Sequence, residues 1–244
     1  MKNEPAIIIL AAGKGTRLGG PVPKPLTRLI DGRTILQQQL DNITLAFGHD
    51  ALKRTFVVVG FQAEKIVNEL PKRVHIVYND QYDTSNTAKS LLRALQASDN
   101  FAGAIWMNGD VVFSPLALGR AIASINQQVS FMAVVEGKTD DEEMKYSLSD
   151  SGSITQVSKN NLGGLGEAVG INFVSAKDRD YFIAALNKVD AEAYFEAAIE
   201  QMLRRGWILM PLFVTDLYAV EIDVIEDLVR ANLALTSYSH QYTV

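Results

Sequence analysis

The sequence contains no cysteine, and its three histidines lie far apart, at His49, His75 and His240. Without cysteine the chain can form no disulfide, thiolate metal site or catalytic thiol, and this absence is typical of a reducing compartment. The histidines have the spacing neither of metal ligands nor of a catalytic triad, which argues against zinc sites and nucleophilic triads. Any catalysis therefore depends on carboxylates, lysine and arginine.

Positive charge and long apolar runs are also scarce. The 23 basic and 28 acidic residues give a net charge of −5, so any phosphate site must be a local basic pocket. The apolar run after Pro5 is far shorter than the ~20 residues of a membrane span and lacks a signal-peptide cleavage pattern. We therefore expect a cytoplasmic protein without nucleic-acid or membrane partners, whose oligomeric state the sequence does not indicate.

Short apolar runs alternate with helical patterns along the chain, which predicts crossover units and a parallel sheet with helices on both faces. The expected fold class is α/β, a three-layer αβα arrangement with a mixed, mostly parallel central sheet. No linker or repeat interrupts the chain, so we expect a single domain, 1–244. The predicted strands are 6–10, 55–60, 74–78, 104–107, 131–135 and 168–174, a hairpin of 145–148 with 154–157, and strand-like segments at 207–214 and 217–222. The predicted helices include one after Thr34, one from Thr87, and those at 178–186, 191–204 and 224–235.

The first strand leads into Leu10-Ala11-Ala12-Gly13-Lys14-Gly15-Thr16-Arg17-Leu18, which Pro23-Lys24-Pro25 closely follows. Small residues let the backbone turn close to a ligand, and successive amides in such a turn bind anions. Arg17 and Lys24 add a guanidinium and an ammonium, which both suit phosphate. The spacing is that of neither a P-loop nor a dinucleotide fingerprint, in which Leu18 would be glycine. We interpret the segment as a triphosphate-binding loop; the alternative is an ordinary strand-to-helix turn with solvated basic residues.

Carboxylates follow two other predicted strands. In parallel sheets, ligands bind beyond the carboxyl ends of the strands, where Gly60, Asn79 and Asp110 fall together with the glycine loop. Asp223 follows another strand-like segment, and alternation places Glu221 on the same face. Magnesium is usually held by one or two carboxylates plus phosphates, so Asp110 and Asp223 suffice as metal ligands. The alternatives are a turn aspartate for Asp110 and a helix cap for Asp223.

The glycine loop together with Lys24 resembles the corresponding segment of the nucleotidyltransferase superfamily, whose fold is Rossmann-like and glycosyltransferase-A-like. Within it, the chain is similar to phosphocholine and aminoethylphosphonate cytidylyltransferases and to sugar-1-phosphate nucleotidyltransferases. The resemblance implies a nucleotide-binding half at about 1–112, an acceptor-binding half at about 113–244, and Mg²⁺ between them. The catalytic residues it implies are Lys24, Arg17, Asp110 and Asp223. The nucleotide-binding residues it implies are Leu10, Ala11, Ala12, Gly13, Lys14, Gly15, Thr16, Arg17, Lys24, Gly60, Asn79, Ser85, Asn86, Thr87 and Asp110.

The second half carries the residues that the resemblance assigns to the acceptor. They are Lys145, Tyr146, Glu167, Tyr194, Glu196 and Glu221. Tyr194-Phe195-Glu196 resembles an aromatic-aromatic-acid run of the cytidylyltransferases, and rings with a carboxylate suit an amine or a quaternary ammonium. The alternative is a helix whose aromatic residues pack into the core. For Ser85 to Thr87 the alternative is a plain helix cap, and for Lys145 it is ordinary surface chemistry.

The resemblance implies a Mg²⁺-dependent enzyme that transfers CMP from CTP to phosphocholine, aminoethylphosphonate or a similar acceptor and releases pyrophosphate. The closest alternative is a hexose-1-phosphate nucleotidyltransferase that uses UTP, dTTP or GTP. The chain departs from the choline-type pattern at Ala88-Lys89, where aromatic residues are often found. Two other classes are a non-catalytic regulatory protein on this fold, against which the retained Lys24 and aspartates argue, and a Rossmann dehydrogenase, against which Leu18 argues.

Overall fold

The computed structural model describes residues 4–15, 18, 22–139 and 143–242, with the backbone alone for residues 239–242. The strands are β1 (Ala6–Ala11), β2 (Thr55–Val59), β3 (His75–Tyr78), β4 (Ala104–Asn108), β5 (Val111–Phe113), β6 (Phe131–Glu136), β7 (Lys145–Leu148), β8 (Ile154–Ser158), β9 (Gly166–Val174), β10 (Met210–Phe213) and β11 (Ala219–Glu221). The helices are α1 (Ile35–Phe47), α2 (Ala63–Glu69), α3 (Thr87–Ala97), α4 (Pro115–Asn126), α5 (Ala176–Lys188), α6 (Glu196–Leu203) and α7 (Ile225–Tyr242). Short 3-10 helices lie at Lys24–Leu26 and His49–Arg54.

A mixed central sheet organises the chain, with strand order β10-β6-β9-β4-β1-β2-β3. β1 runs parallel to β2 and β4, β2 to β3, and β10 to β6, whereas β9 runs antiparallel to β4 and β6. β7 pairs with β8, as the predicted hairpin requires, and with β9 at one position. β5 and β11 form a separate antiparallel pair beyond the sheet. The predicted α/β class with a mostly parallel mixed sheet is confirmed.

Helices cover both faces of this sheet. As a consequence, every residue of β1 is buried. Alternate side chains of β1 enter different cores. Ile7 packs on one face with Leu36 of α1, and Ile8 packs on the other with Leu91 of α3 and Phe182 of α5. The result is three layers, helix, sheet and helix. Among the described helices, none is both long and apolar enough to cross a membrane.

Local structure differs from the sequence-based expectation at several places. The helix expected over 191–204 begins at Glu196, because the carbonyls of Ala191 and Ala193 accept hydrogen bonds from the amides of Asn86 and Ala88 instead of continuing a helix. The strand-like segments at 207–214 and 217–222 shorten to β10 and β11. The sequence analysis missed β5, α4 and the 3-10 helix at 49–54.

Candidate active site

A cleft of about 700 Å³ opens beyond the carboxyl ends of β1 and β4. Parallel sheets bind ligands at this edge. Both halves of the chain contribute to its lining. The sequence-predicted residues that line it are Leu10, Ala11, Gly13, Lys14, Gly15, Lys24, Ser85, Asn86, Thr87, Asp110, Glu167, Tyr194, Glu196, Glu221 and Asp223. Thr16 and Arg17 lie outside the described residues, so the triphosphate role of Arg17 stays a prediction.

Two close backbone approaches hold the glycine loop against its neighbours. The amide of Gly109 donates to the carbonyl of Leu10 at 2.9 Å, and a Cβ on Gly109 would lie 2.6 Å from that oxygen. Gly15 has a φ of +55°, and a Cβ there would lie 2.9 Å from the Cβ of Lys24. Glycine is therefore required at both positions. The first contact brings Asp110 beside the loop, and the second brings Lys24 beneath it.

Three carboxylates converge next to this loop. Oxygens of Asp110, Glu221 and Asp223 lie within 4.8 Å of one another. Antiparallel pairing of β11 with β5 places Glu221 opposite Val111, and the amide of Ile222 donates to the carbonyl of Asp110 at 2.9 Å. The metal pair expected from the sequence is thus joined by Glu221, which the sequence analysis had assigned to the acceptor.

Lys24 lies between two of these carboxylates. Its Nζ donates to Asp110 Oδ2 at 2.9 Å and to Asp223 Oδ1 at 2.6 Å, and the side chain is only 8% exposed. Burial disfavours the charged ammonium, but the two aspartates outweigh it and raise the pKa of Lys24 above its usual value. Burial, together with the charges of Asp110 and Asp223, also raises the pKa of Glu221 well above its usual value. One ammonium therefore does not neutralise the cluster.

The chemistry of this cluster fits Mg²⁺. Carboxylate oxygens are the hard ligands that the ion prefers, and it usually takes one or two of them together with substrate phosphates and water. The cluster offers three carboxylates with an excess of negative charge beside an anion-binding loop. Asp110 and Asp223 are the residues that would hold the ion, with Glu221 alongside.

Neighbouring elements hold the carboxylates in place. From α1, Gln39 Nε2 donates to the carbonyls of Asn108 and Val111, both at 2.8 Å, on either side of Asp110. At the start of α7, Asp227 Oδ2 accepts from the amides of Asp223 and Val224 at 2.8 and 2.9 Å. Both aspartates therefore sit on backbone that buried polar side chains fix.

Ser85, Asn86 and Thr87 line the cleft and also build the helix start. Asn86 Oδ1 accepts from the amide of Thr87 at 2.9 Å, and Thr87 Oγ1 accepts from the amide of Phe195 at 3.1 Å. Asn86 therefore caps α3, as the alternative interpretation expects. Because it also lines the cleft, its contact with the nucleotide stays a prediction. Through this second hydrogen bond, Thr87 connects α3 to the segment before α6.

Five predicted residues lie behind the cleft rather than in its lining: Ala12, Gly60, Asn79, Lys145 and Tyr146. Asn79 Nδ2 donates to Ser85 Oγ and Ser90 Oγ, so it supports the 81–86 loop from below. Gly60 packs against Tyr82, where a Cβ would lie 2.5 Å from the tyrosine Cβ. Lys145 is buried and donates from Nζ to the carbonyl of Lys159, and Tyr146 is fully buried. Both residues are therefore buried in β7, outside the described lining of the cleft.

The part of the cleft at the start of α6, called the far end below, contains Tyr194, Glu196 and Lys159. Glu196 is the first residue of α6 and is 9% exposed, and its Oε2 has no hydrogen-bond partner among the described residues. Burial raises the pKa of Glu196 to about 7, although its own amide and the charge of Lys159 oppose this. Phe195 does pack into the core, edge-on against Trp106, as the alternative interpretation expected.

Several lining residues were missed by the sequence analysis. They include Tyr82, Asp83, Asn108, Glu143, Lys159, Asp227 and Arg230. Arg230 pairs with Asp227 through Nη2 and Oδ1 at 2.7 Å. The spacing of these two residues on the helix that follows the carboxylate strand is a signal that sequence analysis can use. Lys159 and Glu143 carry no comparable signal, because only folding of the hairpin brings them to the cleft.

Sheet order, glycine loop and carboxylate cluster together define an α/β nucleotidyltransferase fold. Residues 7–192 match the MobA-like NTP transferase domain, and the chain belongs to this family. The resemblance to the nucleotidyltransferase superfamily is thereby confirmed.

Relatives known by sequence share only part of their length with this chain. It is 26% identical over 235 residues to the bifunctional protein GlmU of Pelotomaculum thermopropionicum, covering 96% of this chain and 46% of the relative. GlmU of Prochlorococcus marinus is 37% identical over 109 residues, 43% of this chain and 22% of the relative. The chain thus spans less than half the length of these curated relatives.

Solved structures with the same fold cover nearly the whole chain at low identity. The CTP:phosphocholine cytidylyltransferase LicC from Streptococcus pneumoniae superposes with a TM-score of 0.73 at 17% identity, over 95% of this chain and 99% of its own. A structure described as a putative glucose-1-phosphate thymidylyltransferase from Bacillus anthracis superposes with a TM-score of 0.75 at 17% identity, over 93% of this chain and 94% of its own. The inositol-1-phosphate CTP transferase from T. maritima superposes with a TM-score of 0.72 at 19% identity, over 92% of this chain and 91% of its own.

Proposed function

We propose that this protein is a Mg²⁺-dependent nucleotidyltransferase that transfers CMP from CTP to a small acceptor with a phosphate or phosphonate and a cationic group, releasing pyrophosphate. The observation that carries the proposal is the composition of one cleft. It joins a glycine loop, Lys24 and the carboxylate cluster at one end to Tyr194 and Glu196 at the other.

The residues present suit an in-line attack of an acceptor oxygen on the α-phosphorus of the nucleotide. The new P–O bond forms as the bond to pyrophosphate breaks. A phosphate monoester has a second pKa of about 6 and is mostly dianionic at neutral pH, so no general base is required. The described lining contains no histidine, in agreement with this chemistry. Catalysis then consists of positioning and charge stabilisation.

Individual residues take roles according to their positions. The loop amides bind the β- and γ-phosphates, together with Arg17. Lys24 lies between Asp110 and Asp223 and stabilises the α-phosphate when the nucleotide is bound. Bound Mg²⁺ supplies positive charge to the phosphates, and Asp110 and Asp223 hold it. Ser85 and Asn86, which line the cleft, bind the base and ribose in this proposal.

The charge of the cleft supports a cationic acceptor. Its described lining has eight carboxylates, which are Asp83, Asp110, Glu143, Glu167, Glu196, Glu221, Asp223 and Asp227. They face four basic side chains, Lys14, Lys24, Lys159 and Arg230. Carboxylates thus outnumber basic side chains in the described lining by eight to four. An ammonium group offsets this excess, whereas a hexose offers no positive charge.

Hexose-1-phosphate nucleotidyl transfer is the second candidate. The names of the GlmU relatives and of the Bacillus anthracis structure favour it. The names of the Streptococcus pneumoniae and T. maritima structures favour CTP as the nucleotide. A regulatory protein without catalysis would retain the fold but would release no pyrophosphate.

The test is pyrophosphate release from each of CTP, UTP, dTTP, GTP and ATP with phosphocholine, phosphoethanolamine, 2-aminoethylphosphonate and hexose 1-phosphates in Mg²⁺. We expect release with CTP and an amine-bearing acceptor, and a large loss in Asp110→Asn and Asp223→Asn. Asp41→Asn, which changes an exposed aspartate away from the cleft, is the matched control and should keep full activity. Release with hexose phosphates alone would select the second candidate, and no release with any pair would leave the regulatory protein.

A further inference from the structure

Glu196 is a buried carboxylate with an unmet hydrogen-bonding capacity. It is 9% exposed, lines the far end of the cleft, and its Oε2 finds no donor among the described residues. A buried acceptor without a donor destabilises the fold, so such groups persist where something else satisfies them. A donor supplied by a ligand in the cleft would satisfy this one.

The donor required at this point is also positively charged. Burial raises the pKa of Glu196 to about 7, and the nearby charge of Lys159 does not restore the usual value. A neutral hydroxyl would satisfy the oxygen but not the charge, whereas an ammonium N–H satisfies both.

The far end of the cleft is not built to hold a quaternary ammonium. Such groups have no N–H and are typically held by cages of several aromatic faces. Three aromatic residues belong to the described lining: Tyr82, Tyr194 and Phe195. Tyr82 lies on the nucleotide side with Lys14 Nζ 6.0 Å from its ring, and Phe195 is buried against Trp106. Tyr194 is therefore the one aromatic side chain of the described lining that can face an ammonium group here. It is 47% exposed, and Lys159 Nζ lies 5.8 Å from the centre of its ring.

We infer that the acceptor carries a protonated amine, which donates an N–H to Glu196, and that the site selects this group over a trimethylammonium. The inference rests on the proposed function and narrows its acceptor to aminoalkyl phosphates or phosphonates. Glu196 is in this view the specificity-determining residue of the acceptor end, and Tyr194 contributes one face for the alkyl chain.

The experiment is a methylation series on one acceptor. Phosphoethanolamine, its N-methyl and N,N-dimethyl derivatives and phosphocholine share the same phosphate and the same positive charge. With CTP and Mg²⁺, we expect kcat/KM to fall about tenfold or more at the last methylation, because only that step removes the final N–H. A smaller fall at that step, or a preference for phosphocholine, would overturn the inference.

A pair of variants tests whether Glu196 is responsible. Glu196→Gln keeps the shape but removes the charge, so KM for the three N–H acceptors should rise about tenfold with little change in kcat. The fall in kcat/KM at the last methylation should then become smaller than in the wild type. Glu192→Gln removes the same charge from an exposed position outside the cleft and should leave the series unchanged. An unchanged series in Glu196→Gln would count against the assignment; if that variant does not fold, the wild-type series still decides.

Failure of the proposed function gives a different result from failure of the inference. Calorimetric titration of the same four compounds into the protein with Mg²⁺ and α,β-methylene-CTP, whose α–β bridge cannot be cleaved, measures binding without turnover. Tighter binding of the three N–H compounds with no pyrophosphate release would uphold the amine site and remove the nucleotidyl transfer. Release with all four at similar kcat/KM would uphold the transfer and remove the selection of an N–H donor.

Discussion

Lys24 shows how much of this site depends on one side chain. It is a buried ammonium that contacts two of three clustered carboxylates, 86 and 199 residues away along the chain. Its raised pKa keeps it charged at any physiological pH, so it is a permanent cation of the cleft. The same position that suits the α-phosphate also places its charge where a metal ion would bind. Under the proposed function, Lys24 and Mg²⁺ would compete for Asp110 and Asp223 until a nucleotide drew the ammonium away.

The first prediction follows from this competition and concerns Lys24→Met, which keeps the length and removes the charge. Turnover should fall roughly 10²–10³-fold, the usual loss of one electrostatic stabiliser of a transition state. Mg²⁺ binding without nucleotide should become tighter, because the competing ammonium is gone. Steady-state kinetics and calorimetric Mg²⁺ titration measure the two effects.

Lys53→Met, at an exposed lysine paired with Asp50, is the control and should change neither quantity. Weaker Mg²⁺ binding in Lys24→Met would contradict the competition and indicate that the lysine organises the carboxylates instead.

At the scale of elements, the start of α7 fixes Asp223, one of the two proposed metal ligands. Asp227 accepts from the amides of Asp223 and Val224 and pairs with Arg230, so one carboxylate caps the helix and orients the preceding aspartate. Burial opposes the charge, but the two amides and Arg230 hold the pKa of Asp227 below its usual value. The helix therefore begins at a defined position relative to β11.

Asp227→Ala should lower the free energy of unfolding by about 0.5–2 kcal/mol, as loss of a helix cap does. It should also raise the Mg²⁺ concentration needed for half-maximal binding, because Asp223 loses its support. Because the pKa of Asp227 is depressed in the folded state, its contribution is present above the unfolded pKa of about 4 and is lost as the pH falls further. Urea unfolding at neutral and acidic pH should therefore show the difference from wild type shrinking below about pH 4.

Glu226→Ala is the matched control, because Glu226 is the exposed neighbour in the same turn and no hydrogen bond to the helix amides is lost with it. Equal losses in both variants would mean that charge in the first turn, rather than the two hydrogen bonds, stabilises α7.

At the scale of the whole molecule, the site exists because distant segments meet at one edge of the sheet. β1, the connection from β4 to β5, and the end of β11 each contribute, and α1 holds the connection through Gln39. Gly109 is the closest point of this assembly, since its backbone lies against the carbonyl of Leu10.

Gly109→Ala should destabilise the fold by about 1–3 kcal/mol, the range for overpacking, because the new Cβ meets backbone that cannot move aside. It should also weaken Mg²⁺ binding, since Asp110 is the next residue. Gly119→Ala is the matched control: nothing lies within 4 Å of its Cβ and it sits inside α4, so the change should stabilise by ~0.5–1 kcal/mol. Urea unfolding and Mg²⁺ titration measure both, and tolerance of Gly109→Ala would show that the loop and Asp110 adjust independently.

The sequence by itself determined the sheet and the tight glycine turn that follows β1. Both depend on local physics: β-branched runs favour buried strands, and only small residues allow the turn after Leu10. It also determined that Asp110 and Asp223 lie at strand ends, because alternation and strand polarity follow directly from residue order.

Only the tertiary structure decided which of the other polar residues share the cleft. Glu221 joins the carboxylate cluster because β11 pairs with β5, and Lys145 and Tyr146 are buried where β7 packs between β8 and β9. Glu196 becomes a buried carboxylate because α6 starts late, after its preceding carbonyls bond to α3. Each of these outcomes depends on contacts between residues far apart in the chain, whose free energy exists only once the layers have packed.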